Sequence, residues 1–437
     1  MSTQRKLTRL LGIGVVAMTA AALAGCASGG GGNEGADGEA SGEITVWSWS
    51  TNAKDIAELF EEEHPDIKVN LVNPGDAATG SERLQTAFQA GSGAPDVAMI
   101  EYPGILQNAM SGYIVPLTDF GIDEIKDDFA DSIMSQLTVD GEVYGTPIDA
   151  SPMALYYRTD LYAQAGIEPA ATWEEFAQDA GTLQAALPGS HIANSAFADG
   201  SMNRMYWQAG IAPVSVEGET IAIDYDQPEV QNVLDYWAGL HNDGLTADLP
   251  IYSPEWNAAF ADGTIASWVG PGWGPVILGS NAESSAGKWA VAPLPSWDGE
   301  PASAEWGGSA YTVTEQSKNK AAAAEYVKWV NHDPQAYELL FELTGSFPVL
   351  KSYIADEEFL ASPFPFFGDQ PVNQVLASAL ESVSDWQWTP FNSEVTNVSD
   401  AEYNAILEDG QDTSKTLATI ETSLRDYAAK QGFTVAD

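Results

Sequence analysis

Cysteine is nearly absent from this 437-residue chain, with Cys26 as its single copy. An internal disulfide framework is therefore excluded, and the folded body must be held by packing. Positive charge is also scarce: 17 Lys and Arg stand against 63 Asp and Glu, a formal net charge of -46. Such a surface repels phosphate backbones and anionic headgroups, which sets aside nucleic acid and peripheral membrane binding. The four histidines, His64, His191, His241 and His332, form no HExxH or comparable zinc spacing. The acidic cluster Asp123, Glu124, Asp127, Asp128 and Asp131 lacks the glycine and alternating spacing of an EF-hand loop, so it reads as a solvated helix face. No metal and no cofactor are expected.

What the chain has in quantity is apolar and aromatic surface. Hydrophobic residues make up 44% of it, with 14 Trp and 16 Tyr, enough for large cores and a cleft lined by flat rings. The length allows two or three domains. At the N-terminus, Arg5, Lys6 and Arg9 precede an apolar run from Leu10 to Leu23. At roughly fourteen residues it is too short to span a bilayer but suits the apolar part of a secretory signal. The following Leu23-Ala24-Gly25-Cys26 resembles a bacterial lipobox, in which the cysteine sulfur takes a diacylglycerol and becomes the mature N-terminus. Residues 1–25 are thus expected to be a signal peptide and Cys26 the lipidation site. Residues 26–42 carry no large apolar side chain after Cys26 and predict a flexible linker reaching about 20–24 Å.

The body alternates strand and helix. Ile44 to Trp47 predicts a buried strand, and Asn52 a cap for a helix carrying Ile56, Leu59 and Phe60 that closes near Pro65. A strand over Ile67 to Val72, a helix from about Ser81 to Ala90 and a strand over Val97 to Ile100 follow. This order implies right-handed crossovers and a mainly parallel sheet. Trp47, Trp237 and Trp329 are assigned to cores by strand alternation or helical spacing, and Leu417, Ile420, Leu424 and Tyr427 predict a packed terminal helix.

The succession of strand-Trp, helix, strand, Gly-rich loop and helix, then "GSGAPDVAMIE", is similar to the N-terminal lobe of bacterial extracellular solute-binding proteins of the maltose-binding type. The likeness continues through Tyr144–Gly166, Ala258–Gly274 and Gly307–Ser352, and covers nearly all of residues 43–437. It implies an α/β, two-lobed, periplasmic-binding-protein-like fold of type II, with discontinuous lobes joined by a hinge. The first lobe is expected over 43–150 plus 312–350 and the second over 153–308 plus 352–437. The hinge falls near 148–153, 308–312 and 347–352.

In open α/β sheets, ligands bind beyond the carboxyl ends of the strands. That rule selects Trp49 and Ser50 after the first strand, Glu101 and Tyr102 after the third, and the loop from Gly270 to Trp273. The resemblance adds Asp149, Trp207, Trp256, Trp306, Gly308, Trp386 and Trp388. Tryptophan faces cover the C–H faces of sugars, while carboxylates and amides accept hydrogen bonds from sugar hydroxyls. The implied function is capture of an oligosaccharide by hinge closure and its delivery to the permease subunits of an ABC importer. The protein is expected to be a monomer held outside the cell membrane through its lipid anchor alone.

An enzyme is the competing class. A glycoside hydrolase also needs paired carboxylates in an aromatic cleft, and so many acidic residues always supply a pair. The sequence has no P-loop and no GxSxG elbow. Its S-x-x-K match at Ser317-Lys318-Asn319-Lys320 lacks the S-D-N and K-T-G partners of penicillin-interacting enzymes. A non-sugar ligand for the same fold is the other alternative. The expectation is a binding protein rather than an enzyme.

Overall fold

The computed structural model describes residues 40–50, 52–217, 220–344, 347–384, 386 and 388–436. The signal segment, Cys26 and the linker up to residue 39 lie outside them. Among the described residues no helix is long and apolar enough to cross a membrane.

The first lobe grows from β1 (Gly42–Trp47), whose Ile44 and Val46 are fully buried. Helix α1 (Ala53–Glu63) lays Ile56 and Phe60 on the same core, each burial stabilising by roughly 1.5–3 kcal/mol. Asn52 does not cap this helix as predicted. Its side chain accepts from Ser50 Oγ and donates to the Leu339 carbonyl, tying the helix start to a distant helix. After β2 (Ile67–Val72), helix α2 runs Ala77–Ala90. It starts ahead of the expected Ser81 because Asp76 accepts from the Thr79 N–H at 2.8 Å, supplying the N-cap. Gly91, at φ 68°, ends it in the left-handed conformation. Strand β3 (Val97–Glu101) then leads through Tyr102 to α3 (Ile105–Met110).

Strands β2, β1 and β3 lie side by side and parallel, as the alternation of strand and helix requires. The sheet continues with the strand Ser309–Val313, antiparallel to β3, and then Thr146–Pro147. The departure from an all-parallel sheet has a simple cause: Ser309–Val313 enters from the other lobe, not through a helical crossover, so its direction is set by the crossing. The second lobe centres on an antiparallel sheet in which Ala154–Arg158 lies between Ser267–Gly270 and Trp289–Ala292. Helices Pro228–Asn242, Asn392–Asp409 and Thr413–Gln431 pack together, the last of them against the strands Thr220–Ile223 and Thr434–Val435.

Trp237 is 2% exposed, in the core as expected. Trp47 and Trp329 are only half-buried. Ile44, Val46 and Ser48 take the inward phase of the first strand, so Trp47 points to its other face, where the Arg83 guanidinium lies 6.0 Å from the ring centre. Trp329 packs against Phe60 at the rim, and its Nε1–H donates to Glu63 at 3.1 Å.

Near 148–151, 306–309 and 347, the crossings where the sequence expects the hinge, three stretches of chain zip together. The Ile148 N–H donates to the Ser309 carbonyl, the Ala150 N–H to the Phe347 carbonyl and the Trp306 N–H to the Ser151 carbonyl, at 2.8, 2.8 and 2.9 Å.

Candidate functional site

The carboxyl ends of β1 and β3 open towards the second lobe. There a cavity of about 390 Å³ is walled by Trp49, Gln85, Glu101 and Asn108 from the first lobe and by Asn392, Glu394 and Asn397 from the second. Gln85 donates to the Asn108 side-chain oxygen at 2.9 Å, and Asn108 donates to the Gly104 carbonyl at 2.8 Å, so these amides are held in fixed directions. Among the described residues no lysine or arginine lines this space. A wall of one indole face, oriented amides and carboxylates suits an uncharged, hydroxyl-rich ligand.

Glu101 is exposed, yet surrounding protein holds its carboxyl above the usual range, with Asp199 adding repulsion and Arg204 opposing it. Tyr252 on the second lobe is 47% exposed, yet desolvation pushes its hydroxyl up as well. Groups open to solvent but stripped of much of their hydration lie in a concavity. The negative charge of Glu101 adds a small upward push on the Tyr252 hydroxyl. Trp273, half-buried, lies 6.4 Å from the Tyr252 ring.

Arg204 is the cation of this region. Its guanidinium stacks on Trp306 at 4.2 Å from the ring centre, and its Nη1 donates to the Asp199 carbonyl. Burial pulls its pKa down while Asp199, Tyr252, Asp400 and Glu101 act against that. Asp400, raised to about 6 chiefly by burial, accepts from the Gly200 N–H at 3.1 Å.

A larger opening of about 830 Å³ flanks helix α4 (Asp131–Gln136), lined by Lys126, Asp127, Asp131 and aliphatic side chains and reaching Trp388. Trp388 is 5% exposed and donates from Nε1 to Gln136 at 3.0 Å, linking the lobes. It offers no free aromatic face to that opening.

Residues 55–364 match the family described as bacterial extracellular solute-binding protein. The chain is 32% identical to the ABC transporter associated binding protein from B. animalis subsp. lactis, solved in complex with beta-1,6-galactobiose. That match has a TM-score of 0.77 and covers 90% of this chain and 99% of the other. It is 29% identical to the lactose-binding protein of Rhizobium radiobacter, covering 89% of this chain and 93% of the relative. The arabinooligosaccharide-binding protein of Halalkalibacterium halodurans is 27% identical, at 90% and 92% coverage. The chain belongs to this solute-binding protein family.

In this solute-binding protein the sequence-selected residues fall into three groups. Trp49 and Glu101 line the cavity, and Trp273 packs beside Tyr252. Ser50, half-buried, turns its hydroxyl to the Asn52 side chain. Tyr102, Asp149 and Gly308 are tied together by hydrogen bonds. Tyr102 is fully buried and donates to the Asp149 carbonyl at 2.5 Å, Asp149 Oδ1 accepts from the Ser309 N–H at 3.0 Å, and the Gly308 carbonyl accepts from the Tyr102 N–H at 3.0 Å.

The third group is buried. Trp256, 1% exposed, is clasped by Phe260 and Trp268 at 4.5 and 5.3 Å, so it is a core residue that supports Tyr252 from behind. Gly270 is buried with no room for a side chain, since a Cβ there meets the Trp268 ring at 2.6 Å. Trp207 stacks face to face on Trp386 at 3.9 Å, and Trp388 meets both edge-on at 5.0 and 4.2 Å. These three are 9%, 8% and 5% exposed, so they satisfy one another instead of offering open platforms. Trp306, 5% exposed, has one face taken by Arg204. Tyr427, expected only to pack the terminal helix, lines the cavity.

Sequence reasoning missed Arg204, Asp199, Tyr252, Asp400 and the amides of Asn392 and Asn397. None stands in a motif; Asn392 and Asn397 reach the cavity, and the other four meet one another, only through tertiary packing.

Proposed function

We propose that this solute-binding protein takes an oligosaccharide into the interlobe cleft and delivers it to the permease subunits of an ABC importer, breaking no bond. The carrying observation is the cavity of about 390 Å³ with walls from both lobes, a tryptophan, fixed amides and carboxylates, and no cation. Ligand touched by both lobes favours the closed form, and that differential contact drives hinge closure. The ligands of related proteins, lactose, arabinooligosaccharide and beta-1,6-galactobiose, support a carbohydrate of two or more rings. In this reading the lobes are those expected from the sequence, the protein acts as a monomer, and a lipid on Cys26 holds it at the outer face of the cell membrane.

Calorimetric titration against di- to tetrasaccharides tests this. Saturable binding of at least one sugar is expected. Saturable binding of a peptide or polyamine alone overturns the ligand class, and accumulation of shorter sugars during incubation establishes the glycoside hydrolase. Trp273→Ala is expected to weaken the best sugar about tenfold, the order of one lost ring contact, while the melting temperature holds because the ring is only half-buried. Cys26→Ser is expected to release a sugar-binding protein into the medium, read by immunoblot of cell and medium fractions; retention in the membrane fraction sinks the anchor.

A further inference from the structure

Among the described residues four that are not glycine hold a positive φ: Asp140, Asp199, Tyr252 and Asp369. Aspartate tolerates that region through its short polar side chain; tyrosine does not, and holding it there costs on the order of 1–2 kcal/mol. Tyr252 stands at φ 64°, as the third residue of a turn closed by the Ser253 N–H donating to the Pro250 carbonyl at 3.1 Å. Ile251 before it keeps a negative φ, so the turn is of type II, in which glycine or asparagine is the favoured third residue. Ser253 then caps the next helix, accepting from the Trp256 N–H at 3.1 Å. Nothing in the turn itself calls for a tyrosine.

The ring explains what the turn does not. It stands edge-on to the buried Trp256 at 5.5 Å, and its other side is open: at 47% it is the most exposed large apolar residue of the described chain. Its hydroxyl donates to Asp199 Oδ2 at 3.3 Å. Asp199 is itself left-handed, at φ 56°. Two of the four left-handed residues are therefore joined to each other, beside the stack of Arg204 on Trp306. Strain placed where a side chain is aimed at open space marks a binding position more often than a structural one.

We infer that Tyr252 is a specificity-determining ligand contact. Its ring covers one face of an uncharged sugar, and its hydroxyl aims the Asp199 carboxylate at that sugar's hydroxyls. This rests on the oligosaccharide reading above and adds the residue pair and the ligand's charge class. Asp199, Asp400 and Glu101 outnumber Arg204 around the pair, so a uronate faces net repulsion while a neutral ring does not.

The test is calorimetric titration of the full chain with neutral di- to tetrasaccharides and the corresponding uronates, alongside thermal melting. Y252A is expected to lose about tenfold or more in affinity for the best neutral sugar, and Y252F a few-fold. Y252G is expected to bind as weakly as Y252A but to melt higher than Y252A, because glycine relieves the left-handed strain. Wild-type protein that binds a sugar while Y252A, or Y252F and Y252G if Y252A does not fold, binds within about twofold overturns the inference and leaves the functional reading standing. Y252G melting below Y252A makes the residue a structural turn element and overturns it too, as does wild-type preference for a uronate. Wild-type protein that binds no member of the panel removes the functional reading beneath.

Discussion

Gly308→Ala is expected to destabilise the protein by about 3–5 kcal/mol, adding the cost of a disfavoured backbone conformation to that of overpacking. Gly308 lies at φ 108°, a backbone that side chains with a Cβ rarely adopt, and a Cβ there meets the Tyr102 ring at 2.3 and 2.9 Å and the Asp149 carbonyl at 3.1 Å. The Tyr102 ring has no room to retreat. It is fully buried, its hydroxyl is bound to that same carbonyl, and its own N–H donates to Gly308. The clash therefore spreads into the crossings at Asp149 and Ser309. Urea unfolding measures the loss, and sugar affinity measured on the surviving folded fraction is expected to fall as well, because the crossings set the approach of the lobes. A variant as stable as the wild type shows that the hinge accommodates the methyl and that this packing does not fix the crossing.

Glu305→Gln is expected to leave stability near the wild-type value at acidic pH and to exceed it by several kcal/mol at pH 9. Glu305 is fully buried between two crossings. Its Oε2 accepts from the Ser151 N–H at 2.7 Å, while Oε1 has no partner among the described residues. Burial, with a smaller push from Asp149, raises its pKa from 4.5 to about 8. The sign follows from proton linkage. With the folded pKa above the unfolded one, the carboxyl's contribution is fully present below pH 4.5, declines as pH rises, and is lost above about 8. A shift of that size corresponds to on the order of 5 kcal/mol. Glutamine keeps the acceptor for Ser151 and never ionises, so the difference between variant and wild type should open between pH 4.5 and 8. Parallel urea titrations at pH 5 and 9 check this. A constant difference across that range means that Glu305 is solvated or paired after all.

Much of the first lobe was readable from the residues. Ile44, Val46, Ile56 and Phe60 announce strand and helix by spacing alone, because a half-buried strand repeats every second residue and an amphipathic helix every third or fourth. Trp49 and Glu101 follow from the rule that ligands gather beyond the strands' carboxyl ends. Trp256, Trp207, Trp386 and Trp388, which the resemblance added as ligand contacts, are instead buried against one another or against neighbouring rings. An indole satisfies equally well a sugar face, a core wall or another indole, and spacing does not separate those partners. Tyr102 was chosen as a ligand contact by the strand-end rule and Gly308 by the resemblance, whereas the two are packed against each other, with Tyr102 fully buried.

The sequence by itself determined the lone cysteine behind an apolar run, the acid-rich composition, the order of strands and helices, and the family that order belongs to. All of these are properties of residues near one another in the chain. Only the tertiary structure decided which aromatic faces stay open, that Tyr252 stands left-handed over Asp199, and that Glu305 is sealed between two crossings. Each of those depends on segments tens to hundreds of residues apart meeting within a few ångströms, and burial and electrostatics act only after that meeting has happened.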